Sequence, residues 1–106
     1  MSALAITALA APTATLVKDI KPIGGSNPNG FTNFAGKLFF AADDGTHGAG
    51  PWTSDGTAAG TKLVDDINPG SGDSSPGALG FSNVAGTLYF GPDDGTHGRE
   101  PWKAVP

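Results

Sequence analysis

Two identical six-residue segments contain the side chains of this sequence that are best suited to chemistry. Residues 43–48 and residues 93–98 both read Asp-Asp-Gly-Thr-His-Gly. Adjacent carboxylates in a glycine turn could bind Ca²⁺, but calcium takes about six to eight oxygen ligands and each segment offers only two carboxylates. We favour the interpretation in which each aspartate accepts hydrogen bonds from backbone N–H groups of its own turn. We therefore expect no metal and no cofactor, although calcium binding by these two loops stays an open alternative.

A single histidine lies in each segment, at His47 and at His97. Either could act as a metal ligand or a general base, but no second histidine lies nearby and the chain contains no cysteine. No Ser-His-Asp spacing and no glutamate pair recurs with them. We expect each imidazole to be hydrogen-bonded to a carboxylate of its own loop, and we predict that the chain is not an enzyme.

Two tryptophans, each preceded by a proline, follow shortly after these segments. Tryptophan beside polar turns can stack on the face of a sugar ring. The alternative is that both indoles pack between repeats, and we favour it because a large aromatic residue that recurs with a repeat usually belongs to the stacked core. If a ligand binds, the predicted ligand-binding residues are Trp52, Trp102, His47 and His97.

These four residues belong to a sequence that occurs twice. Residues 31–52 recur as residues 81–102, with 14 of the 22 positions identical. Leu-Val-Lys-Asp-Ile at 16–20 returns as Leu-Val-Asp-Asp-Ile at 63–67. The offset is 50 residues for the first match and 47 for the second, because the intervening connector is three residues longer in the second repeat. A period of about 50 residues is typical of solenoids, propellers and other arrays.

Each repeat divides into four short apolar segments that turn residues separate. In the first repeat these segments are 31–35, 37–42, 50–54 and 61–67. Asp-Gly between apolar residues is a strong signal for a hairpin, because glycine adopts a positive φ without strain. We predict an all-β fold with two four-stranded antiparallel propeller blades per chain, whose inner strands are apolar on both faces and whose outer strand lies at the wet rim.

The predicted strand order begins each blade with its outer strand. Residues 15–20 and 61–67 are the predicted outer strands, and three inner strands follow each of them, so the chain begins with a lone outer strand and ends with a blade that lacks one. We assign residues 1–14 to an apolar stretch at the N-terminus, residues 15–60 to the first repeat and residues 61–106 to the second.

Two blades are too few for a ring, since propellers contain about four to eight. We expect several chains to associate, with the N-terminal outer strand of one chain completing the last blade of its neighbour. About three or four chains would close a six- or eight-bladed propeller, whereas a rotation that does not close would produce a filament. The alternative fold is an eight-stranded sandwich.

The composition limits the classes of partner. Six basic and ten acidic residues give a net charge of −4 without any Lys/Arg cluster, so nucleic acid and anionic membranes are poor candidates. No stretch reaches the length of a transmembrane helix. The 17 glycines and 9 prolines favour many short strands, and the absence of cysteine excludes disulfides.

Residues 1–14 are uncharged and rich in alanine and leucine. Ala8-Leu9-Ala10 resembles a signal-peptidase site, but no basic residue precedes the apolar stretch. The segment is the remainder of an export signal, an extension of artificial origin or an apolar arm that docks on another subunit, and all three interpretations stay open.

The repeated motifs resemble a known bacterial repeat. Asp-Asp-Gly-Thr-His-Gly-x-x-Pro-Trp is followed in the first repeat by Thr-Ser-Asp-Gly-Thr at 53–57 and by Leu-Val-Asp-Asp-Ile-Asn-Pro-Gly at 63–70. Across residues 15–103 the chain resembles the family named for Glu-Leu-Trp-x-x-Asp-Gly-Thr, although Pro51 and Pro101 stand where that family has leucine. The resemblance implies a propeller-like array of large exported proteins, outside the cell and without assigned chemistry.

From the residues and this resemblance we predict a non-enzymatic, secreted repeat module that associates with itself. Its predicted role is binding of a glycan or surface polymer in adhesion. The alternative is a structural subunit of an extracellular filament or surface layer. A monomer in solution would contradict both and favour the sandwich.

Overall fold

A computed structural model describes residues 11–70, 72–77 and 79–106 of the chain. Within these ranges the chain forms β-strands and no helix. The strands form two antiparallel sheets, ordered β1-β2-β3-β4 and β5-β6-β7. Their bounds are β1 Asn29–Phe34, β2 Lys37–Asp43, β3 Ala49–Ser54, β4 Lys62–Leu63, β5 Ser82–Val84, β6 Thr87–Phe90 and β7 Trp102–Ala104.

The first sheet is a meander in which each strand pairs with the next. Ala35 and Gly36 connect β1 to β2, with positive φ angles of 54° and 75°. A two-residue turn of this kind matches the twist of the flanking strands. β2 pairs along nearly its whole length with β3, and β4 pairs with the other side of β3, where Trp52 lies opposite Leu63.

The second sheet repeats this plan with one strand fewer. Ala85 and Gly86 form the matching turn between β5 and β6, with φ angles of 50° and 82°. β6 pairs with β7, where Phe90 lies opposite Trp102. In the part of the chain that the structure describes, no strand pairs with the other side of β7.

The two sheets pack face to face around an aromatic core, which we call the inter-sheet core. The Phe39 ring from the first sheet lies 5.2 Å from the Phe81 ring and 5.7 Å from the Phe90 ring. Aromatic pairs at such distances contribute about 0.5–1.5 kcal/mol beyond the area that they bury. The buried members of this core are Phe34, Phe39, Ile67, Leu88 and Phe90.

The opposite face of the first sheet buries a smaller set, the outer cluster, which consists of Phe40, Ala42 and Trp52. Ile20 packs against it from the chain that precedes β1. The Phe31 ring lies 5.5 Å from the Phe40 ring. The first sheet is therefore apolar on both faces, as expected for strands with neighbours on either side.

The two sheets stack head to tail, so that opposite faces of the two repeats meet at the interface. Phe39 is 3% exposed in the inter-sheet core, whereas its counterpart in the second repeat, Tyr89, is 43% exposed. Phe34 and its counterpart Val84 differ in the same way, with 7% and 56% exposed. If a two-fold axis related the sheets, Tyr89 and Val84 would face the inter-sheet core as their counterparts do. Both are exposed instead, so the packing is heterologous. Heterologous packing leaves a different, unmatched surface at each end of the stack.

The structure confirms an all-β fold with two antiparallel sheets and corrects the predicted strand content. Within the described residues the second sheet has three strands, so a second four-stranded blade is not formed by this chain alone. The predicted outer strand at 15–20 pairs with no strand in the described part of this chain, and its pairing with the last blade of a neighbouring copy stays a prediction. The physical reason is that β4 already occupies the edge of the first sheet. The outer strand predicted at 61–67 shortens to Lys62–Leu63, because the following residues lead Ile67 into the inter-sheet core.

The interpretations of residues 1–14 rest mainly on residues 1–10, which lie outside the described residues. Among the residues that the structure describes, no helix has the length and apolar character needed to cross a membrane.

The inter-sheet core predicts a large difference between two identical substitutions. Leu88→Ala removes a side chain that is 0% exposed, whereas Leu79→Ala removes one that is 71% exposed. We expect Leu88→Ala to lower the free energy of unfolding by about 2–5 kcal/mol, because it leaves a cavity. The matched control Leu79→Ala should change it by about 0.5 kcal/mol or less. Urea denaturation measures both, and equal losses would contradict the assignment of the core.

Candidate functional site

The two Asp-Asp-Gly-Thr-His-Gly segments form a pair of matching loops, which we call the rim loops. Residues 43–48 lead from β2 to β3, and residues 93–98 lie between β6 and β7. In the first rim loop, Asp44 Oδ1 accepts hydrogen bonds from the N–H groups of Thr46 and His47, each at 2.8 Å. The second rim loop contains the same two bonds at the same distance. The predicted capping of each turn by its own aspartate is therefore confirmed.

Each rim loop also joins its histidine to its second aspartate. His47 Nδ1 lies 2.6 Å from Asp44 Oδ2, and His97 Nδ1 lies 2.6 Å from Asp94 Oδ2. The histidine side chains remain open to solvent, with 41% of His47 and 70% of His97 exposed. The expected bond between each imidazole and a carboxylate of its own loop is confirmed.

These pairs shift the pKa values of their members in opposite directions. The hydrogen bond to Asp94 raises the pKa of His97, and the one to Asp44 raises the pKa of His47. Hydrogen bonds from the side chain and backbone of His97 lower the pKa of Asp94 to about 2. Burial alone would raise the pKa of Asp44, but the hydrogen bonds from His47 outweigh it and the pKa is lowered. At a pH between the pKa values of its two members, each Asp-His pair is therefore an ion pair.

Both rim loops contact the connector between β4 and β5. Gly48 has a φ of 69°, and a Cβ there would collide with the carbonyl group of Gly72. A Cβ at Gly95 would come within 2.6 Å of the Asn68 side-chain oxygen. Since one connector touches both loops, the two rim loops lie at the same end of the stacked sheets.

The two tryptophans lie in packed positions. Trp52 is 5% exposed within the outer cluster, and Trp102 packs half-buried against the inter-sheet core. Among the described residues, Trp52 Nε1 has no hydrogen-bond partner although it is buried. This burial favours the packing interpretation over sugar stacking for Trp52. The structure brings the two histidines to one rim, whereas Trp52 packs in the outer cluster and Trp102 packs against the inter-sheet core.

The rim loops offer recognition groups without a metal cage. Within the described ranges, no three histidine or acidic side chains come together in an arrangement suited to a metal ion. Asp44 and Asp94 already accept hydrogen bonds from their own turns, which fixes their orientation. What remains open to solvent is one imidazole per loop, whose second ring nitrogen can exchange a hydrogen bond with a polar ligand.

A buried serine joins the two sheets, and the sequence analysis did not identify it. The N–H and Oγ of Ser74 both donate to the carbonyl oxygen of Ala49, at 2.9 Å and 3.0 Å. The Ser74 carbonyl oxygen accepts a hydrogen bond from the N–H of Asp93 at 2.9 Å. In the first repeat, the Ser26 carbonyl oxygen accepts the matching bond from Asp43. The recurrence of Ser-x-Pro in both connectors was the signal that could have identified this contact.

The strand edge at β7 is the second candidate site. β3 lies between β2 and β4, whereas its counterpart β7 pairs with β6 alone in the described part of the chain. Residues 14–20, which we call the N-terminal segment, run beside the outer cluster without joining a sheet. There Lys18 Nζ donates to the carbonyl oxygen of Thr61 at 2.9 Å, and Leu16 is 80% exposed.

Comparison of the chain with protein-family models, with curated proteins and with solved structures found no match. Membership of the repeat family that the motifs resemble therefore stays a prediction.

The rim-loop pairs predict a specific pH response. Both imidazoles should titrate above the ordinary histidine value of about 6.5, because their pKa values are raised. The stabilisation from these raised pKa values is fully present below about pH 6.5 and is lost as the pH rises through the raised values. At the acidic end, the contribution of Asp94 is present above about pH 3.8 and is lost as the pH falls through about 2.

Nuclear magnetic resonance titration of the imidazole protons measures this response. Asp94→Asn should return the His97 midpoint towards the ordinary value and leave His47 as an internal control. A His97 midpoint that does not change in Asp94→Asn would contradict the pairing.

Proposed function

We propose that this chain is a non-enzymatic repeat module that associates head to tail with copies of itself. In the proposed assembly the N-terminal segment of one copy completes the second sheet of the next. The product is a β-propeller outside the cell, with the rim loops displayed along one face. The observation that carries this proposal is the open edge of β7.

The open edge is a point at which the two repeats differ. In the first sheet, β4 covers β3, and the N–H of Val64 donates to the carbonyl oxygen of Pro51 at 2.8 Å. In the second sheet, no strand from the described residues lies beside the outer edge of β7, and Lys103 is exposed. An uncovered strand edge is a template for a further strand. The N-terminal segment contains Leu-Val-Lys-Asp-Ile at 16–20. This sequence is similar to Leu-Val-Asp-Asp-Ile at 63–67, which begins at the last residue of β4.

The stacking of the sheets supports a growing assembly over a closed sandwich. Phe39 faces the inter-sheet core and its counterpart Tyr89 faces outward, so a further copy can repeat the same step. A repeated rotation that closes gives a ring, and propellers contain about four to eight blades. With two sheets per chain, about three copies would form a six-bladed ring. A rotation that does not close would give the filament instead.

Self-association predicts that blocking the β7 edge produces monomers. Antiparallel strands alternate between hydrogen-bonded and non-hydrogen-bonded pairs. By the pattern of β3 and β4, the Lys103 N–H points away from β6 and towards the open edge. Lys103→Pro removes this N–H and blocks strand addition, while Lys103→Ala keeps it and is the matched control.

Light scattering coupled to size-exclusion chromatography measures the outcome. The natural chain and Lys103→Ala should run as one discrete multiple of the chain mass, and Lys103→Pro as a monomer. Large, polydisperse species that Lys103→Pro abolishes would favour the filament. A natural chain that stays monomeric at every concentration up to its solubility limit would overturn the proposal.

A ligand-binding role of the rim loops follows from their arrangement. Two identical loops lie at the same end of the sheets, and each presents an exposed imidazole. In a closed ring the number of such loops rises to one per blade, and weak sites gain avidity. A glycan or surface polymer with repeating units is the class of ligand that such a face fits.

A glycan array tests this role on the assembled protein. We expect the natural chain to bind at least one glycan and the double variant His47→Ala/His97→Ala to lose that binding by about tenfold or more, since avidity multiplies each weak loss. Val105→Ala, which changes a side chain that is 65% exposed in β7's C-terminal flank, is the control. Assembled natural protein that binds no glycan would refute adhesion through sugars and leave a structural subunit as the function.

A further inference from the structure

We infer that the strand added to β7 belongs to a second copy of this chain and adopts one specified register. In this register Leu16 lies opposite Trp102, Lys18 opposite Glu100 and Ala14 opposite Ala104. The inference rests on the proposed self-association and names the contacts that would specify it.

The template for this register is the pairing of β3 with β4. Trp52 lies opposite Leu63 and Thr53 lies opposite Lys62. Continued two residues beyond Trp52 in one direction, the same antiparallel register places Ser54 opposite Thr61. Continued two residues in the other direction, it places Gly50 opposite Asp65.

The internal repeat transfers this template to the β7 edge. Residues 50–54 correspond to residues 100–104 with an offset of 50, and residues 61–65 correspond to residues 14–18 with an offset of 47. The three pairs of the template therefore become Trp102 with Leu16, Ala104 with Ala14 and Glu100 with Lys18.

The first sign that these positions match is a paired loss of hydroxyl groups. Ser54 Oγ and Thr61 Oγ1 form a buried hydrogen bond of 2.7 Å in the first sheet. At the corresponding positions both partners are alanine, at Ala104 and Ala14. Loss of only one hydroxyl would leave the other buried without its partner, which is costly. Replacing both at once keeps the pair compatible.

The second sign is a paired gain of opposite charges. In the first sheet Gly50 is buried, and a Cβ there would lie 3.0 Å from the Leu63 side chain. In the transferred register the Cβ of Glu100 would meet Leu16 in the same way, so the flexible end of Leu16 has to shift by a few tenths of an ångström. At the corresponding positions the chain has Glu100, which is exposed, and Lys18. Opposite charges directly across an antiparallel pair are stabilising, whereas like charges are destabilising. Lys18 and Glu100 would form such a pair across the new interface.

A third sign is an aromatic docking place that is already formed. In the inter-sheet core, the Phe39 ring packs on the pair Phe81 and Phe90, whose centroids are 5.6 Å apart. The corresponding pair, Phe31 and Phe40, has a separation of 5.5 Å. The residue that corresponds to Phe39 is Tyr89, which is exposed at the opposite end of the sheet stack.

A second copy can therefore place its Tyr89 on Phe31 at the edge of this pair, whereas Phe40 is only 4% exposed in the single chain. Phe31 is 58% exposed and is available for this contact. The two ends of the chain are therefore complementary in two ways. The N-terminal segment can pair with β7 of another copy, and the face that contains Phe31 can pack against the face that contains Tyr89. This continuity with the interface inside the chain identifies the partner as another copy and not an unrelated protein.

The chain's own N-terminal segment does not reach its own β7 in this arrangement. Lys18 is hydrogen-bonded to Thr61, and Ile20 packs on the outer cluster. The outer cluster lies on the face of the first sheet that points away from the second sheet. In the assembly that face would contact the second sheet of the neighbouring copy, next to the segment that completes it.

Charge exchange between Lys18 and Glu100 tests the register. Lys18→Glu and Glu100→Lys should each weaken self-association by about threefold to tenfold, because each places like charges opposite one another. The double variant Lys18→Glu/Glu100→Lys should restore the association of the natural chain. Concentration-dependent light scattering gives the dissociation constants, and circular dichroism verifies that each variant is folded.

Cysteine pairing tests the same register covalently, and the chain contains no cysteine of its own. In the template, Ser54 and Thr61 form a non-hydrogen-bonded pair, the closely spaced type, with Cα atoms about 4.5 Å apart. That spacing suits a disulfide. A mixture of Ala14→Cys and Ala104→Cys chains should give a covalent heterodimer under mild oxidation. Ala14→Cys mixed with Lys103→Cys is the control, because adjacent strand residues point to opposite faces.

The outcomes separate the register from the proposed function. A natural chain that does not associate overturns both. Association without rescue by the charge exchange and without the covalent heterodimer overturns the register and leaves self-association standing. A disulfide within one chain carrying both Ala14→Cys and Ala104→Cys, seen as an oxidised monomer at the concentrations where the natural chain associates, overturns the assignment to a second copy.

Discussion

The constraint on which the rest of the structure depends is that each sheet is narrow and that the first sheet is apolar on both faces. Sheets of three or four short strands need a packed face to be stable. Phe39 meets this need on one side by packing on Phe81 and Phe90 of the second sheet. The other side of the first sheet, with Phe40 and Trp52, is covered by Ile20 and its neighbours in the chain. The outward face of the second sheet keeps Tyr89 and Val84 exposed.

The same head-to-tail stacking positions the rim loops. Each loop follows the second strand of its sheet, so every step of the stack brings one more Asp-His pair to the same end. The bonds that shape each loop are local, which explains why the two loops have the same distances although their sheets differ in strand number. The ties between sheets are non-local, and the buried Ser74 provides the clearest of them. Display of the loops and stacking of the sheets are therefore separate properties of one repeat.

Local features of the sequence predicted local features of the structure. The hairpin turns and the capping of the rim loops by Asp44 and Asp94 involve residues two or three apart, and short-range turn chemistry determines them. The segment at 15–20 pairs with no described strand inside the chain, because an alternating pattern indicates that a segment can pair and does not indicate which strand is its partner. Phe39 and Tyr89 occupy the same place in the pattern, yet only the stacking direction decides which is buried. The bond between Ser54 and Thr61 joins residues whose partnership depends on the register of β3 and β4.

Hydrogen exchange at the backbone amide of Val17 tests the central claim most directly. In the first sheet the corresponding N–H of Val64 donates to the Pro51 carbonyl oxygen at 2.8 Å. The N–H of Val17 should donate in the same way to Pro101 of a second copy. We expect this amide to be protected from exchange at concentrations where the chain associates and to exchange freely after dilution to monomer. Rapid exchange at Val17 in the associated state would contradict completion of the second sheet by this segment.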